Sequence, residues 1–118
     1  MSRSKPSALR PLPSGEAITL EAKLFRGLAD PSRLAILKVL LAGESSVSDI
    51  VESTELSQPN VSGHLACLRD CGLVTSRQEG RSVFYSLADE GLHDVFSAAE
   101  GILARVAERI YGCTRYRS

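Results

Sequence analysis

One stretch limits the folds open to this chain more than any other: Leu56-Ser57-Gln58-Pro59-Asn60-Val61-Ser62-Gly63-His64-Leu65-Ala66-Cys67-Leu68-Arg69-Asp70-Cys71-Gly72-Leu73-Val74. It carries signals for both ends of a helix. Ser57 suits the N-cap, Pro59 falls in the first turn, where no internal partner needs its N–H, and Gly72 suits the left-handed position just past the end. Val61, Leu65 and Leu68 recur at i, i+4 and i+7 and predict one buried stripe. The other faces carry Gln58, Asn60, Ser62, His64 and Arg69, groups able to bond base edges or phosphates. Cys67 and Cys71 sit four apart on the flank.

The rest of the chain reads as a support for that helix. Residues 1–15 hold three of the five prolines and the bases Arg3, Lys5 and Arg10, and predict a disordered basic arm. Leu20, Leu24, Phe25 and Leu28 fit a helical face over residues 18–28. Asp30-Pro31 restarts a helix, with Asp30 as cap and Pro31 at its first position, and Leu34, Ile36, Leu37, Leu40 and Leu41 make it largely buried up to Gly43. Ser46 caps a short helix to about Ser53, with Asp49 supporting the cap and Val47, Ile50 and Val51 facing inward. Thr54-Glu55-Leu56 then turns tightly into the central helix, and two short helices so joined read as a helix-turn-helix.

Leu73-Val74 and Val83–Leu87 have strand composition, with Arg77-Gln78-Glu79-Gly80-Arg81 as the turn between them. A hairpin directly after a DNA-reading helix is a wing, and Arg77 and Arg81 at its tip would reach phosphate or the minor groove. Asp89 caps a final helix to about Tyr111. Its residues Leu92, Phe96, Ala99, Leu103, Val106 and Ile110 alternate spacings of four and three, widened by Val95 and Ile102. Such a seam predicts pairing with a second copy. The expected architecture is mainly α with a small β-hairpin wing: a winged helix-turn-helix over residues 16–112, a homodimer through its first and last helices. Residues 113–118 form a carboxyl-terminal tail.

Whole-chain properties bound the function. The 118 residues make one domain, and no apolar run approaches the ~20 residues of a membrane span. No apolar segment of a signal peptide follows the amino-terminal charges, so the expected location is the cytoplasm, with the cysteines reduced. Three cysteines, an odd number, argue against a disulfide framework. Net charge is zero, but its distribution is uneven: Glu44, Asp49, Glu52 and Glu55 form an acidic segment, whereas Arg105, Arg109, Arg115 and Arg117 face only Glu108 near the end. A nucleophilic-cysteine enzyme would need a base in reach, and the two histidines, His64 and His93, come with no supporting arrangement. No catalytic role is expected.

These motifs together carry a resemblance. Leu28-Ala29-Asp30-Pro31-Ser32-Arg33, the segment Leu56–Leu65, Leu68-Arg69, Gly72-Leu73-Val74, Glu79-Gly80-Arg81 and Tyr85 occur in the order and spacing of the ArsR/SmtB family of bacterial repressors, over roughly residues 20–110. Membership implies a homodimer that sits on double-stranded operator DNA and releases it when a metal or metalloid binds. The family's alternative sites are missing here. Glu44–Asp49 holds no Cys-x-Cys pair, and the last helix has only His93 where other members carry two metal-binding motifs. Cys67-Leu68-Arg69-Asp70-Cys71 is instead similar to the Cys-x-x-x-Cys of the CmtR-type cadmium and lead sensors, whose third cysteine comes from the carboxyl-terminal region of the partner subunit. Cys113 lies in that region.

The resemblance therefore implies the ligand set Cys67, Cys71 and Cys113, with Cd(II) or Pb(II) as the regulatory ion and Hg(II) or Zn(II) as further candidates. It implies the DNA-contacting set Ser57, Gln58, Asn60, Ser62, His64, Arg69, Arg77 and Arg81. Physically, Cβ atoms at i and i+4 on a helix lie about 5–6 Å apart, so two sulfurs can meet one ion. Thiolates select soft ions over Mg²⁺ or Ca²⁺. Cys67 or Cys71 taken alone reads first as a small buried hydrophobe, and metal ligation follows from the pair together with Cys113; His64, on the cysteine edge, reads first as a DNA or structural contact. The same thiols also fit a redox- or mercury-responsive repressor.

Overall fold

Asp30 leaves α1 (Gly15–Ala29) in an extended conformation, and its carboxylate accepts the Arg33 amide at 3.0 Å, which starts α2 (Pro31–Ala42). Pro31 supplies the preset φ of a first helical residue without wasting a donor. Ser46 and Asp49 form the full reciprocal capping box of α3 (Val47–Thr54). Glu55 follows in the left-handed region, φ 65°, held by its amide bond to the Val51 carbonyl at 3.0 Å. That single residue makes the turn that aims the next helix, α4 (Gln58–Asp70). The computed structural model describes residues 15–112, with side chains through 109. The expected basic arm, but for Gly15, and the tail bearing Cys113 lie outside them.

The expected hairpin is present as β2 (Val74–Glu79) and β3 (Ser82–Leu87), antiparallel with Glu79 opposite Ser82. Only Gly80 and Arg81 remain in the loop. Gly80 alone of the two has positive φ, 62°, the pattern of the type II′ turn that matches strand twist. One expectation is thereby corrected. Arg77 is not at the tip but within β2, opposite Phe84. A third strand, absent from the sequence reading, completes the sheet: β1 (Ser45–Ser46) pairs with β3, in the order β1-β3-β2. Ser46 thus pairs with Phe84 and caps α3 at once.

The core joins Leu28, Ile36, Leu37, Leu40, Ile50, Val61, Leu65, Leu68, Val74, Leu92 and Phe96. The stripe Val61, Leu65 and Leu68 is buried as expected, and Leu34, Leu41, Val47 and Val51 pack against it half-buried. The two outer helices differ. On α1 only Leu28 is buried, while Leu20 and Phe25 are 54% and 51% exposed. α5 (Gly91–Gly112) buries Leu92 and Phe96 in its first turns, then leaves Ile102 and Leu103 about half exposed. Lys38 of α2 holds the departing helix by an ion pair to Glu100 and by its ammonium 5.4 Å from the Phe96 ring centre. No described helix is long and apolar enough to cross a membrane.

Two glycines of the α4 region should respond oppositely to alanine. Gly72 has φ 82°, which a Cβ disfavours, so Gly72→Ala should destabilise by about 1–2 kcal/mol. Gly63 lies inside α4 with nothing within 4 Å of a built Cβ, so Gly63→Ala should stabilise by about 0.5–1 kcal/mol. Urea unfolding of the two variants beside the parent measures both signs.

Candidate nucleic-acid interface and thiol pair

Helix α4 is fixed at both ends. The Ser57 hydroxyl accepts the Asn60 amide at 3.2 Å. At the far end, the Leu73 amide bonds the Leu68 carbonyl at 2.9 Å and the Gly72 amide bonds the Arg69 carbonyl at 3.0 Å, with Gly72 left-handed. This is the Schellman termination that the glycine predicts. With Val61, Leu65 and Leu68 fully buried, the helix cannot roll without exposing its stripe.

The side chains left outward divide by face. Ser57, Gln58, Asn60 and Arg69 are exposed, and Ser62 is half-buried, joined to Gln58 by a 3.3 Å bond from the Gln58 amide group. Gly63 and Ala66 lie on the same outer surface, so little side-chain bulk stands between the backbone there and anything that docks. His64 is half-buried. The Asp30 carboxyl is held below the usual carboxylate range, first by the Arg33 amide, then by the Arg33 charge and that of His64.

Cys67 and Cys71 are both exposed free thiols. The Cys71 amide donates to the Cys67 carbonyl at 3.0 Å, so the helical turn between them is intact. Cys71 also lines a hollow of about 270 Å³ with Leu20, Lys23, Leu24, Gly27 and Leu73. Cys71 therefore looks toward α1, and Cys67, one turn earlier on the same edge, lies away from Ser62 and Arg69 around the helix. Among the described residues no three His, Cys, Asp or Glu side chains gather as a metal site. His93 is exposed near the start of α5.

On the wing, Arg81 is exposed in the turn and makes no ion pair among the described residues. Arg77 is engaged. Its Nε and one terminal nitrogen grip both oxygens of Glu44 at 2.7 and 2.9 Å, and the other donates to Glu79 at 2.7 Å. Its guanidinium lies 5.1 Å from the centre of the Phe84 ring. The Arg77 bond holds the Glu44 carboxyl below its ordinary range, and the Ser86 hydroxyl adds to the effect. Sequence reasoning placed Glu44 in an acidic run and gave it no partner. The two residues are 33 apart in the chain, and no local pattern links them.

Comparison with known proteins agrees with this geometry. Residues 30–76 match the model of the bacterial regulatory proteins of the arsR family. A Streptomyces lividans protein described as a probable mercury resistance operon repressor is 43% identical over 94 residues, covering 80% of this chain and 75% of that protein. The transcriptional regulator CmtR of Mycobacterium tuberculosis is 49% identical over 71 residues, which is 60% of each chain. Among solved structures, M. tuberculosis Rv0081 superposes with a TM-score of 0.73 at 34% identity, covering 79% of this chain and 95% of that one. A homodimeric winged helix-turn-helix DNA-binding domain from Mycobacterium bovis superposes with a TM-score of 0.70 at 28% identity, over 86% and 95% of the two chains. With α3 and α4 as its helix-turn-helix and β2–β3 as its wing, the chain belongs to the ArsR family, whose members are DNA-binding transcriptional regulators and not enzymes.

Proposed function

We propose that the protein is a homodimeric repressor that leaves its operator when a thiophilic metal ion binds to cysteine thiolates. The observation that carries the metal part is the thiol pair itself: Cys67 and Cys71, free and exposed, one turn apart on the helix that reads DNA. Two sulfurs fit a soft ion and leave it short of ligands, and Cys113 is the remaining thiol in the chain. Cd(II) and Pb(II) fit that set. Hg(II) shares the thiol preference and gains support from the mercury-operon relative. A redox reading draws less support, because a regular helix turn between the two cysteines is poor geometry for a direct disulfide.

Dimerisation is supported by the apolar faces that the chain leaves open: Ile18, Leu20 and Phe25 on α1, Ile102 and Leu103 on α5. In a dimer, two copies of α4 would enter successive major grooves, with Ser57, Gln58, Asn60, Ser62 and Arg69 toward bases and phosphates and Arg81 of each wing on the flanking backbone. His64, half-buried, would serve as a DNA contact or as a structural contact of the helix. Because the thiols lie on the same rigid helix, drawing its edge toward α1 moves the reading face with it. Coupling of about 1–3 kcal/mol, typical of linked sites, would weaken operator binding about 5–150-fold.

Titration of the reduced protein with Cd(II), Pb(II) and Hg(II), read by the sulfur-to-metal absorption band and by release of bound operator duplex, tests the reading. Cys67→Ser should abolish metal-induced release while leaving metal-free DNA binding intact; full release by that variant would overturn it. Since thiols bind as thiolates, apparent metal affinity should fall about tenfold per pH unit for each proton displaced as pH drops below the thiol range. For the wing, Arg81→Ala should weaken operator binding and lower the salt slope by about one. An unchanged slope would remove Arg81 from the phosphate contacts.

A further inference from the structure

The bidentate grip of Arg77 on Glu44 spans the whole sheet. Ser45 and Ser46 pair with Tyr85 and Phe84 of the central strand β3, and Arg77 stands on the far strand β2, also opposite Phe84. Glu44 immediately precedes β1, and Ser86, which bonds it at 3.5 Å, is the next residue outward on β3. The Glu44–Arg77 contact therefore straps β1 to β2 over β3, across the Phe84 ring. β1 has only two residues, so its backbone ladder is short. It leads straight into Ser46, the cap of α3, and hence into the helix-turn-helix.

From this geometry we infer that Arg77 is a positioning residue for operator binding: by holding Glu44 it fixes the bearing of the wing on the helix-turn-helix, and so fixes where Arg81 meets DNA. Three observations favour this role over a simple phosphate contact. Each of the three guanidinium nitrogens already donates to a carboxylate. One cation between Glu44 and Glu79 leaves the cluster net negative, which repels phosphate. Arg77 also lies in mid-strand, short of the turn that carries Arg81, which is exposed and makes no ion pair among the described residues. An exposed ion pair is a weak device on its own, but bidentate arginine geometry within a network is the exception. The inference depends on the DNA-binding role of the fold and is independent of any metal.

The test uses the full-length protein and a duplex that it selects from a random-sequence pool, with binding followed by fluorescence anisotropy across a salt series. Glu44→Gln should weaken binding about fivefold or more, although it deletes a negative charge near a polyanion. Its log–log salt slope should match the parent's, because no phosphate contact is lost. Arg77→Gln should behave alike, and the double variant should be no worse than either single one. Tighter or unchanged binding by Glu44→Gln, or a slope lowered by about 0.9 in Arg77→Gln, would overturn the inference. Circular dichroism and urea unfolding check that each variant keeps the fold, and Arg77→Lys separates the strap from a phosphate contact. It keeps the charge but loses the fork, so it should be as weak as Arg77→Gln, whereas a simple phosphate contact predicts near-parental binding.

Discussion

Burial of the stripe Val61, Leu65 and Leu68 is the constraint on which the molecule's arrangement depends. Each of these side chains contributes about 1.5–3 kcal/mol on removal from water. The sum is comparable with the net stability of a small domain. The stripe sets the roll of α4, and its two end motifs set its length and axial position. Every outward residue then has a fixed azimuth. Reading face and thiol edge are therefore not separate sites but two sectors of one rigid cylinder, and neither can move without the other.

The outer helices follow a different logic. α2, α3 and α4 bury their apolar residues within the chain, whereas α1 and the distal part of α5 do not. Apolar surface of this kind is an incomplete interface, and on the proposed reading a second copy of the chain completes it. The hollow beside Cys71 is part of the same surface, since Leu20, Leu24 and Lys23 of α1 line it. On the proposed reading, whatever covers α1 also covers the approach to the thiols. Dimer formation and ligand binding would then share a boundary.

Much of this was legible in the residues because it is local. Asp30-Pro31, Ser46 with Asp49, and Ser57 with Gly72 mark helix ends by hydrogen bonds that span three to five residues, and all of them stand as expected. The wing was legible in kind but not in extent. After Val74, β2 runs Thr-Ser-Arg-Gln-Glu, all exposed, with little intrinsic preference for a strand. Pairing with β3 imposes the conformation, shortens the loop to Gly80-Arg81 and draws Arg77 off the tip. β1 and the Glu44–Arg77 strap were illegible for the same reason: both arise from contacts across more than thirty residues. Periodicity in α1 and α5 announced apolar faces correctly, but a periodic face does not say whether its own chain or another covers it.

On the proposed reading, the two pinned elements suit one small fold both to hold a DNA geometry and to give it up. The wing is tied through Glu44 to the entry of α3, on the side of the molecule where α3 and the sheet meet. Cys71 at the end of α4 instead faces α1, whose apolar residues are largely exposed. On the proposed reading, a pull on Cys71 would displace the end of α4, which leads through Gly72 and Leu73 into β2, while the strap ties the other side of the wing to the entry of α3. Reading helix and wing would then shift relative to each other, and a DNA surface that needs both at fixed spacing would lose them together. A ligand site on the wing side would lack this leverage, because there the strap would carry the load.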